Sequence, residues 1–299
     1  MARHGRLRSA ASIAALVSWS AAACLWAAQP PEWTQPIKPF RIAPGIYYVG
    51  TRGLAAYLIT SGDGAILLDG TLKEDAALIE RNIEAVGVTL PKVKLILSDH
   101  AHSDHVGAIA QIKRDTGAQF DASAEDTLAL ERGRPRSDTN YVPTPFPPIK
   151  VDNVIRDGQS VSVGDAVLTA HLTPGHTAGC TSWTTTVREA SRVLNVLFLC
   201  SITVAGNVLV GNRAYPAITA DYEKTFAKLA TMKADIVLTS HPEIADVMGR
   251  QSRVEAGDRN AFIDPAALPR IVAESKEDFE QALAKAQHQA SAPRKHHGG

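Results

Sequence analysis

Short apolar runs separated by polar turns alternate with segments of helical spacing along this chain. The first runs, at residues 46–49, 56–59 and 65–68, are rich in branched and aromatic side chains, as is typical of strands. A Gly-Asp-Gly sequence at residues 62–64 indicates a hairpin turn between the last two runs. Residues 72–85 follow with apolar positions at helical spacing. The pattern therefore predicts a set of strands followed by a helix.

The same order of elements is then repeated. An apolar run from Val93 to Leu97 predicts a buried strand, and a polar loop leads from it into a helix predicted over residues 106–116. Further strands are predicted at residues 160–163, 167–170, 181–185 and 193–199, a helix at 221–232, and a last strand at 235–238 before a helical C-terminal part. Two similar halves without a linker predict one α/β domain in which two sheets pack together with helices outside.

The N-terminal residues differ from the rest of the chain. Basic residues precede an Ala-rich apolar run that extends to about Ala28, which is the pattern of a secretory signal peptide. Serines interrupt the run and it is short for a membrane span, so an uncleaved anchor is the less favoured interpretation. We therefore predict a signal peptide at residues 1–28, a periplasmic location, a folded domain at residues 33–290 and a polar tail at residues 291–299.

The amino-acid composition limits the kinds of molecule that this protein is expected to bind. The chain has 299 residues, 45% of them hydrophobic, which is enough for a large core. Its 31 basic and 31 acidic residues give a net charge of zero. Balanced charge argues against binding to nucleic acid or to a membrane surface after signal cleavage. We expect a monomer that acts on a small molecule.

The loop behind the strand at Val93 to Leu97 carries the candidate chemistry. Three histidines and two aspartates lie between Asp99 and His105, although the whole chain has only ten histidines. Imidazole and carboxylate are the usual ligands of catalytic zinc, and sites in α/β proteins lie at the carboxyl ends of strands. The pattern favours a metal site over a merely polar loop. Residues 132–150, rich in Pro, Gly and charge, are predicted to form a loop at the rim of this site.

The spacing His-x-His-x-Asp-His in this loop resembles the signature of the metallo-β-lactamase superfamily. In that family the first two histidines bind one zinc, and the aspartate and the last histidine bind a second. The resemblance assigns His100 and His102 to the first site and Asp104 and His105 to the second. It also implies a four-layer αββα sandwich. Asp99 departs from the usual pattern by adding a charge, and the sequence leaves open whether it tunes the metals or points away.

Two more histidines complete the ligand set that the resemblance implies. His176, in a Thr-Pro-Gly-His-Thr turn after a strand, matches the third ligand of the first zinc. His241, also at a strand end, matches the last ligand of the second zinc. Asp69 matches a carboxylate that supports the ligands from behind, although a plain turn residue is the alternative. His171 lies within a strand, and we expect it to be structural.

The subclass is indicated by residues after the Pro-Gly-His turn. Many superfamily members have a bridging Asp after the next strand, where this chain has Cys200. Ser201 stands where other β-lactamase subclasses have a cysteine ligand. The combination resembles subclass B3 metallo-β-lactamases, over roughly residues 33–290. In that subclass two hydroxyls hold the substrate carboxylate, and Ser201 and Thr203 match them. The alternative is that both are ordinary strand-end hydroxyls.

The resemblance implies an exported β-lactamase with two Zn²⁺ per chain, which opens the amide of a β-lactam with a zinc-bound hydroxide. Asp104 and His241 are assigned catalytic as well as metal-binding roles. Two other functions stay open, namely a hydrolase of a lactone, thioester or phosphoester and a zinc-binding protein with little catalysis. Absence of the bridging Asp favours the β-lactamase over the other hydrolases, and the complete ligand set disfavours the non-catalytic protein.

The two cysteines of the predicted mature chain can pair. Cys180 begins one predicted strand and Cys200 ends the next, so an antiparallel pairing would place them within disulfide reach. Export to an oxidising compartment would permit the bond. A register shift of one residue would instead put the two side chains on opposite faces of the sheet, which leaves free thiols as the alternative.

Overall fold

Two β-sheets form the centre of the fold in the computed structural model, which describes residues 29–291. The first sheet contains β1 (Phe40–Ala43), β2 (Ile46–Tyr48), β3 (Tyr57–Thr60), β4 (Ala65–Leu68), β5 (Val93–Leu97), β6 (Gln119–Ser123) and β7 (Asn153–Ile155), in that spatial order. The second contains β8 (Ser160–Val163), β9 (Ala166–Leu172), β10 (Thr181–Glu189), β11 (Arg192–Leu199) and β12 (Ile236–Thr239), also in chain order across the sheet. The helices are α1 (Ala76–Ala85), α2 (Ser103–Val106), α3 (Ile109–Thr116), α4 (Ala124–Arg132), α5 (Ile218–Leu229), α6 (Val247–Glu255) and α7 (Ala267–Ser291), with 3₁₀ turns at Pro31–Thr34, Lys73–Asp75 and Leu90–Lys92.

Strand direction places the loop that carries the His-x-His-x-Asp-His motif, Asp99 to His105 (the motif loop), near the middle of the first sheet. Strands β1 to β4 pair with one another antiparallel, whereas the pairs β4–β5, β5–β6 and β6–β7 are parallel. In the second sheet β8 to β11 are antiparallel and β12 runs parallel to β11. The carboxyl ends of β5 and β12 therefore lead into loops that hold predicted ligands.

Two apolar cores confirm the layered architecture. One core contains side chains from both sheets and continues to α5 and α7, with the fully buried Tyr57 and Trp183 near its centre. The other lies between the first sheet and helices α1, α3 and α4, where Ile79, Ile96 and Ile112 are fully buried. Helices thus cover the outer face of each sheet. The four-layer αββα sandwich that the resemblance implied is confirmed.

The predicted strands and helices are found within a few residues of their expected bounds, with local differences. The helix predicted over residues 106–116 begins earlier, as the single turn α2, and ends before Gly117, whose φ of 71° is left-handed. Strands β1, β6 and β7 and helix α4 were not predicted. Strand β6 has the sequence Gln-Phe-Asp-Ala-Ser, in which polar residues hide the apolar pattern of a strand. Its conformation is therefore determined by packing against the rest of the fold and not by local sequence.

The predicted signal peptide at residues 1–28 and residues 292–299 of the predicted tail lie outside the described residues. Within residues 29–291 no helix combines the length and the apolar character needed to cross a membrane.

Candidate metal centre

Predicted ligands from both sheets meet at one edge of the sandwich. The motif loop follows β5, and His176 and His241 follow β9 and β12 of the other sheet. Gly175 has a φ of 144°, and a Cβ there would lie 2.7 Å from the ring of Tyr222, so only glycine fits beside the ligand. His171 lies outside the ligand groups, and its Nε2 is 2.8 Å from the Thr184 hydroxyl, as expected for a structural residue.

His100, His102 and His176 form the first group of ligands. Nε2 of His100 and Nε2 of His176 lie 3.0 Å and 3.1 Å from Nδ1 of His102. On its other side the His100 ring donates from Nδ1 to the Asp99 carboxylate at 2.8 Å. The His176 ring donates from Nδ1 to the Thr203 carbonyl oxygen, also at 2.8 Å.

These outer partners determine which nitrogen of each neutral ring carries the proton. Because Nδ1 of His100 and Nδ1 of His176 donate, both Nε2 atoms present lone pairs to the same point. A hydrogen on His102 can satisfy only one of them, whereas a cation satisfies all three nitrogens. Burial, as the largest cause, lowers the pKa of His100 to about 4 and those of His102 and His176 to about 3, so the rings are neutral ligands at pH 7. The donor set fits a metal ion.

Asp104, His105 and His241 form the second group. Oδ2 of Asp104 lies 3.2 Å from Nε2 of His105 and 3.3 Å from Nε2 of His241. Burial alone would raise the pKa of Asp104, but the imidazoles of His105, His241 and His102 together outweigh it and hold that pKa well below its usual range. Burial would lower the pKa of His105, but Asp104 and Asp99 outweigh it and raise that pKa to about 10. The surroundings are therefore anionic and suit a cation.

Asp69 and Asp99 lie buried behind the ligands. Asp69 has a φ of 66°, so it is a turn residue, yet its side chain is only 1% exposed and Oδ1 accepts the Asp99 backbone N–H at 2.9 Å. Burial and the Asp99 carboxylate raise the pKa of Asp69 well above its usual value. Asp69 therefore holds the backbone of the motif loop from behind. The Asp99 side chain points towards the ligands and not away from them.

A cavity of about 380 Å³ opens over both ligand groups. Its wall contains ligands together with residues from three other segments of the chain: Gln29, Trp33, His102, Ser103, Asp104, Pro135, Tyr141, Pro143, Thr144, His176, Thr203, Ala205 and His241. Residues 132–150 therefore form part of the rim, as predicted. The Asn140 backbone N–H donates to the Gly206 carbonyl at 2.8 Å, which ties this loop to the segment after β11.

Ser201 and Thr203 place their hydroxyl oxygens 3.0 Å apart, on the same side of the chain. Thr203 is part of the cavity wall, whereas Ser201 is 7% exposed and lies deeper. The Thr203 carbonyl accepts hydrogen bonds from His176 at 2.8 Å and from the Tyr222 hydroxyl at 2.6 Å. The hydroxyl pair is thus held in a fixed relation to a ligand of the first group.

Cys180 and Cys200 form a disulfide with their Cα atoms 6.0 Å apart, the first of the two alternatives that the sequence left open. Trp183 lies opposite Phe198 in the pairing of β10 with β11, so the two cysteines are offset by one residue from directly opposite positions. Both lie just beyond the regular ends of these strands. Sγ of Cys200 lies 3.8 Å from Nδ1 of His100. The disulfide therefore forms part of the wall behind the first ligand group.

Sequence analysis missed two residues that support the site. The buried Asp126 carboxylate accepts the backbone N–H groups of Ala101 and Gly179, both at 3.0 Å, and the Thr177 hydroxyl at 2.9 Å. Its only local signal is an acidic position in the first turn of α4. The Trp33 ring centroid lies 5.5 Å from that of His241. Only tertiary structure brings these groups together.

Comparison with known proteins agrees with the fold. Residues 49–241 match the family model described as the metallo-beta-lactamase superfamily. The structure of BJP-1, a subclass B3 metallo-β-lactamase of Bradyrhizobium japonicum, is similar with a TM-score of 0.82 and 42% identity, over 87% of this chain and 99% of that chain. Native FEZ-1 metallo-β-lactamase from Legionella gormanii is similar with a TM-score of 0.81 and 35% identity, over 85% and 98% of the two chains.

A curated relative is more distant. The probable metallo-hydrolase YqgX of Bacillus subtilis is 24% identical over 222 residues, which are 74% of this chain and 97% of YqgX. The family model covers more than half of the chain, and the solved subclass B3 structures extend the similarity over nearly all of the described residues. The chain therefore belongs to the metallo-β-lactamase superfamily, and among its solved neighbours are enzymes of subclass B3.

Proposed function

We propose that this protein is an exported β-lactamase that binds two zinc ions per chain and hydrolyses the amide of β-lactam antibiotics. His100, His102 and His176 would hold the first ion, and Asp104, His105 and His241 the second. Imidazole with carboxylate is the donor chemistry of catalytic zinc. The converging lone pairs of the first group and the anionic surroundings of the second support this assignment.

Zinc bound to these residues would lower the pKa of a water molecule towards 7 and polarise the scissile carbonyl. The residues of the chain itself orient the metal ligands towards the cavity. Nδ1 of His176 is held by the Thr203 carbonyl, and Asp104 and His241, to which we assign catalytic roles, face the cavity. Apolar side chains such as Trp33 and Pro143 form part of the same wall.

The observation that carries the substrate assignment is the hydroxyl pair of Ser201 and Thr203. Penicillins, cephalosporins and carbapenems have a carboxylate beside the ring nitrogen. Two hydroxyl oxygens 3.0 Å apart can both donate to one carboxylate. The pair is connected to the first ligand group through the Thr203 carbonyl. An uncharged lactone would make no use of it. Similarity to BJP-1 and FEZ-1 supports the same substrate class.

The test is hydrolysis of nitrocefin, a penicillin and a carbapenem by purified protein, with and without a chelator. We expect turnover that disappears on chelation and returns with zinc. A lactone, a thioester and a phosphodiester serve as comparison substrates, and faster turnover of any of these would contradict the proposal. Metal analysis of the same preparation should give two zinc ions per chain, and a count of one in excess zinc would contradict the dinuclear site.

Export is proposed from the N-terminal pattern and is supported by the disulfide, since such bonds persist in oxidising compartments. Expression of the full chain should yield periplasmic protein that has lost about the first 28 residues, which N-terminal sequencing and fractionation would detect. Retention of the full chain in the cytoplasm would contradict export. Size-exclusion chromatography with light scattering should give a monomer of the mature mass.

A further inference from the structure

Asp99 is a buried carboxylate directly beside the first metal ligand, and the role described above uses only one of its two oxygens. Its side chain is 4% exposed. A buried carboxylate is unfavourable unless it is paired or hydrogen-bonded. The backbone of Asp99 is held firmly, because its N–H donates to Asp69 at 2.9 Å and its carbonyl accepts the Thr181 N–H at 2.8 Å.

The two carboxylate oxygens of Asp99 have different surroundings. Oδ1 accepts the Nδ1 hydrogen of His100 at 2.8 Å. Oδ2 is buried and has no hydrogen-bond partner among the described residues, and the same holds for Nδ1 of His105. Ligand atoms of Asp69, Asp99 and His105 lie within 4.8 Å of one another. An unpaired acceptor and an unpaired ring nitrogen are thus buried in the same small group.

The unpaired nitrogen of His105 has a simple chemical explanation. Nε2 of His105 faces Asp104 in the second ligand group, so it must be free of hydrogen when that group holds a metal ion. The ring hydrogen is then on Nδ1, where it needs a buried acceptor. Oδ2 of Asp99 is an acceptor of this kind in the immediate neighbourhood.

We propose that Asp99 is a positioning residue shared by both metal sites, with Oδ1 holding His100 and Oδ2 accepting the Nδ1 hydrogen of His105. The inference rests on the proposed zinc function and adds a coupling between the two sites. Metal at one site fixes the Asp99 carboxylate in the orientation that the histidine of the other site requires. Each zinc should therefore bind more tightly when the other is present.

The test is a competitive zinc titration against a chromophoric chelator, performed on wild-type protein, Asp99→Ala and Asp99→Asn. Loss of an outer partner of a metal-binding histidine typically costs 10–100-fold in metal affinity. We expect Asp99→Ala to weaken both sites by at least tenfold. Asp99→Asn has one acceptor oxygen instead of two, so we expect it to weaken one site and to remove the coupling. It also keeps the experiment decisive if the alanine variant does not fold.

Asp121→Asn is the matched control, since Asp121 is also a buried carboxylate, 6% exposed, but bonds to Asn153 and belongs to neither ligand group. It should leave both affinities unchanged. Proton NMR of the zinc-loaded wild-type protein should show low-field Nδ1–H resonances from His100 and His105. Both should shift or disappear in Asp99→Ala and persist in the control, a response that a merely structural role of Asp99 would not produce.

The outcomes separate this proposal from the proposed function. Unchanged affinities in both Asp99 variants would overturn the positioning role while the zinc site stands. Weakening confined to the first site in Asp99→Ala would leave Asp69 as the acceptor for His105 and would overturn the sharing. Wild-type protein that binds two zinc ions without hydrolysing β-lactams would refute the function and not the role of Asp99. Wild-type protein that binds no zinc would refute both.

Discussion

Asp126 provides the sharpest prediction about stability, because one carboxylate satisfies three buried donors. Oδ2 accepts the Ala101 backbone N–H and the Thr177 hydroxyl, and Oδ1 accepts the Gly179 backbone N–H. Ala101 lies between two predicted ligands of the motif loop, and Gly179 lies in the loop that carries His176. The carboxylate therefore connects ligand loops from both sheets.

Asp126→Ala removes the acceptor without offering another. The Thr177 hydroxyl can rotate, but the two backbone N–H groups cannot, and each unsatisfied buried donor costs about 1–3 kcal/mol. The loss in free energy of unfolding should be about 2–6 kcal/mol, a large part of the roughly 5–15 kcal/mol that keeps a domain folded. Asp126→Asn keeps one acceptor oxygen and should fall between wild type and alanine.

The assay is urea unfolding followed by tryptophan fluorescence, on zinc-free protein so that metal binding does not add to the apparent stability. Glu125→Ala is the matched control, since Glu125 precedes Asp126 in the same helical turn and is exposed. It should change the free energy of unfolding by no more than about 0.5 kcal/mol. A loss below about 1 kcal/mol for Asp126→Ala would refute the reasoning, because it would mean that the two N–H groups find other partners.

Four further predictions concern the metal site and its wall. His176→Ala should lose the first zinc and lower β-lactam turnover by at least 10–100-fold, measured by metal analysis and nitrocefin hydrolysis. Ser201→Ala with Thr203→Val should raise KM for carboxylate-bearing β-lactams about tenfold or more with little change in kcat; an unchanged KM would refute the carboxylate role. Replacing Cys180 and Cys200 by alanine should lower the free energy of unfolding by about 3 kcal/mol for a separation of 20 residues, measured in urea. Removal of zinc by a chelator should abolish activity and leave the far-ultraviolet circular dichroism unchanged.

The ligand residues could be predicted from the sequence because their signals are local. His100, His102, Asp104 and His105 occur within one loop behind an apolar run, and this spacing has few explanations other than a metal site. His176 carries a weaker signal, and its assignment depended on its order behind the motif. The structure brings all of them together at one edge of the sandwich.

What the sequence did not predict depends on tertiary proximity. Asp126 is 53 residues from Gly179, and no local pattern relates the two. Trp33 lies in the 3₁₀ turn Pro31–Thr34, far from His241 in the sequence, yet the two ring centroids are 5.5 Å apart. The disulfide was uncertain for a different reason. The pairing of β10 with β11 leaves Cys180 and Cys200 offset by one residue from directly opposite positions, and the bond forms only beyond the regular ends of the two strands.

Hydrogen bonds between the two halves explain how the ligands can be positioned by the protein itself. The Trp183 ring N–H donates to the Ser98 carbonyl at 3.3 Å, and the Tyr57 hydroxyl donates to the Thr239 carbonyl at 2.7 Å. The Ala55 N–H donates to the Ser240 carbonyl at 2.8 Å, directly before a ligand. Each bond joins a segment of one sheet to a ligand-bearing loop or strand of the other. A metal ion therefore does not have to assemble the halves, because these hydrogen bonds already hold the ligand-bearing segments in place.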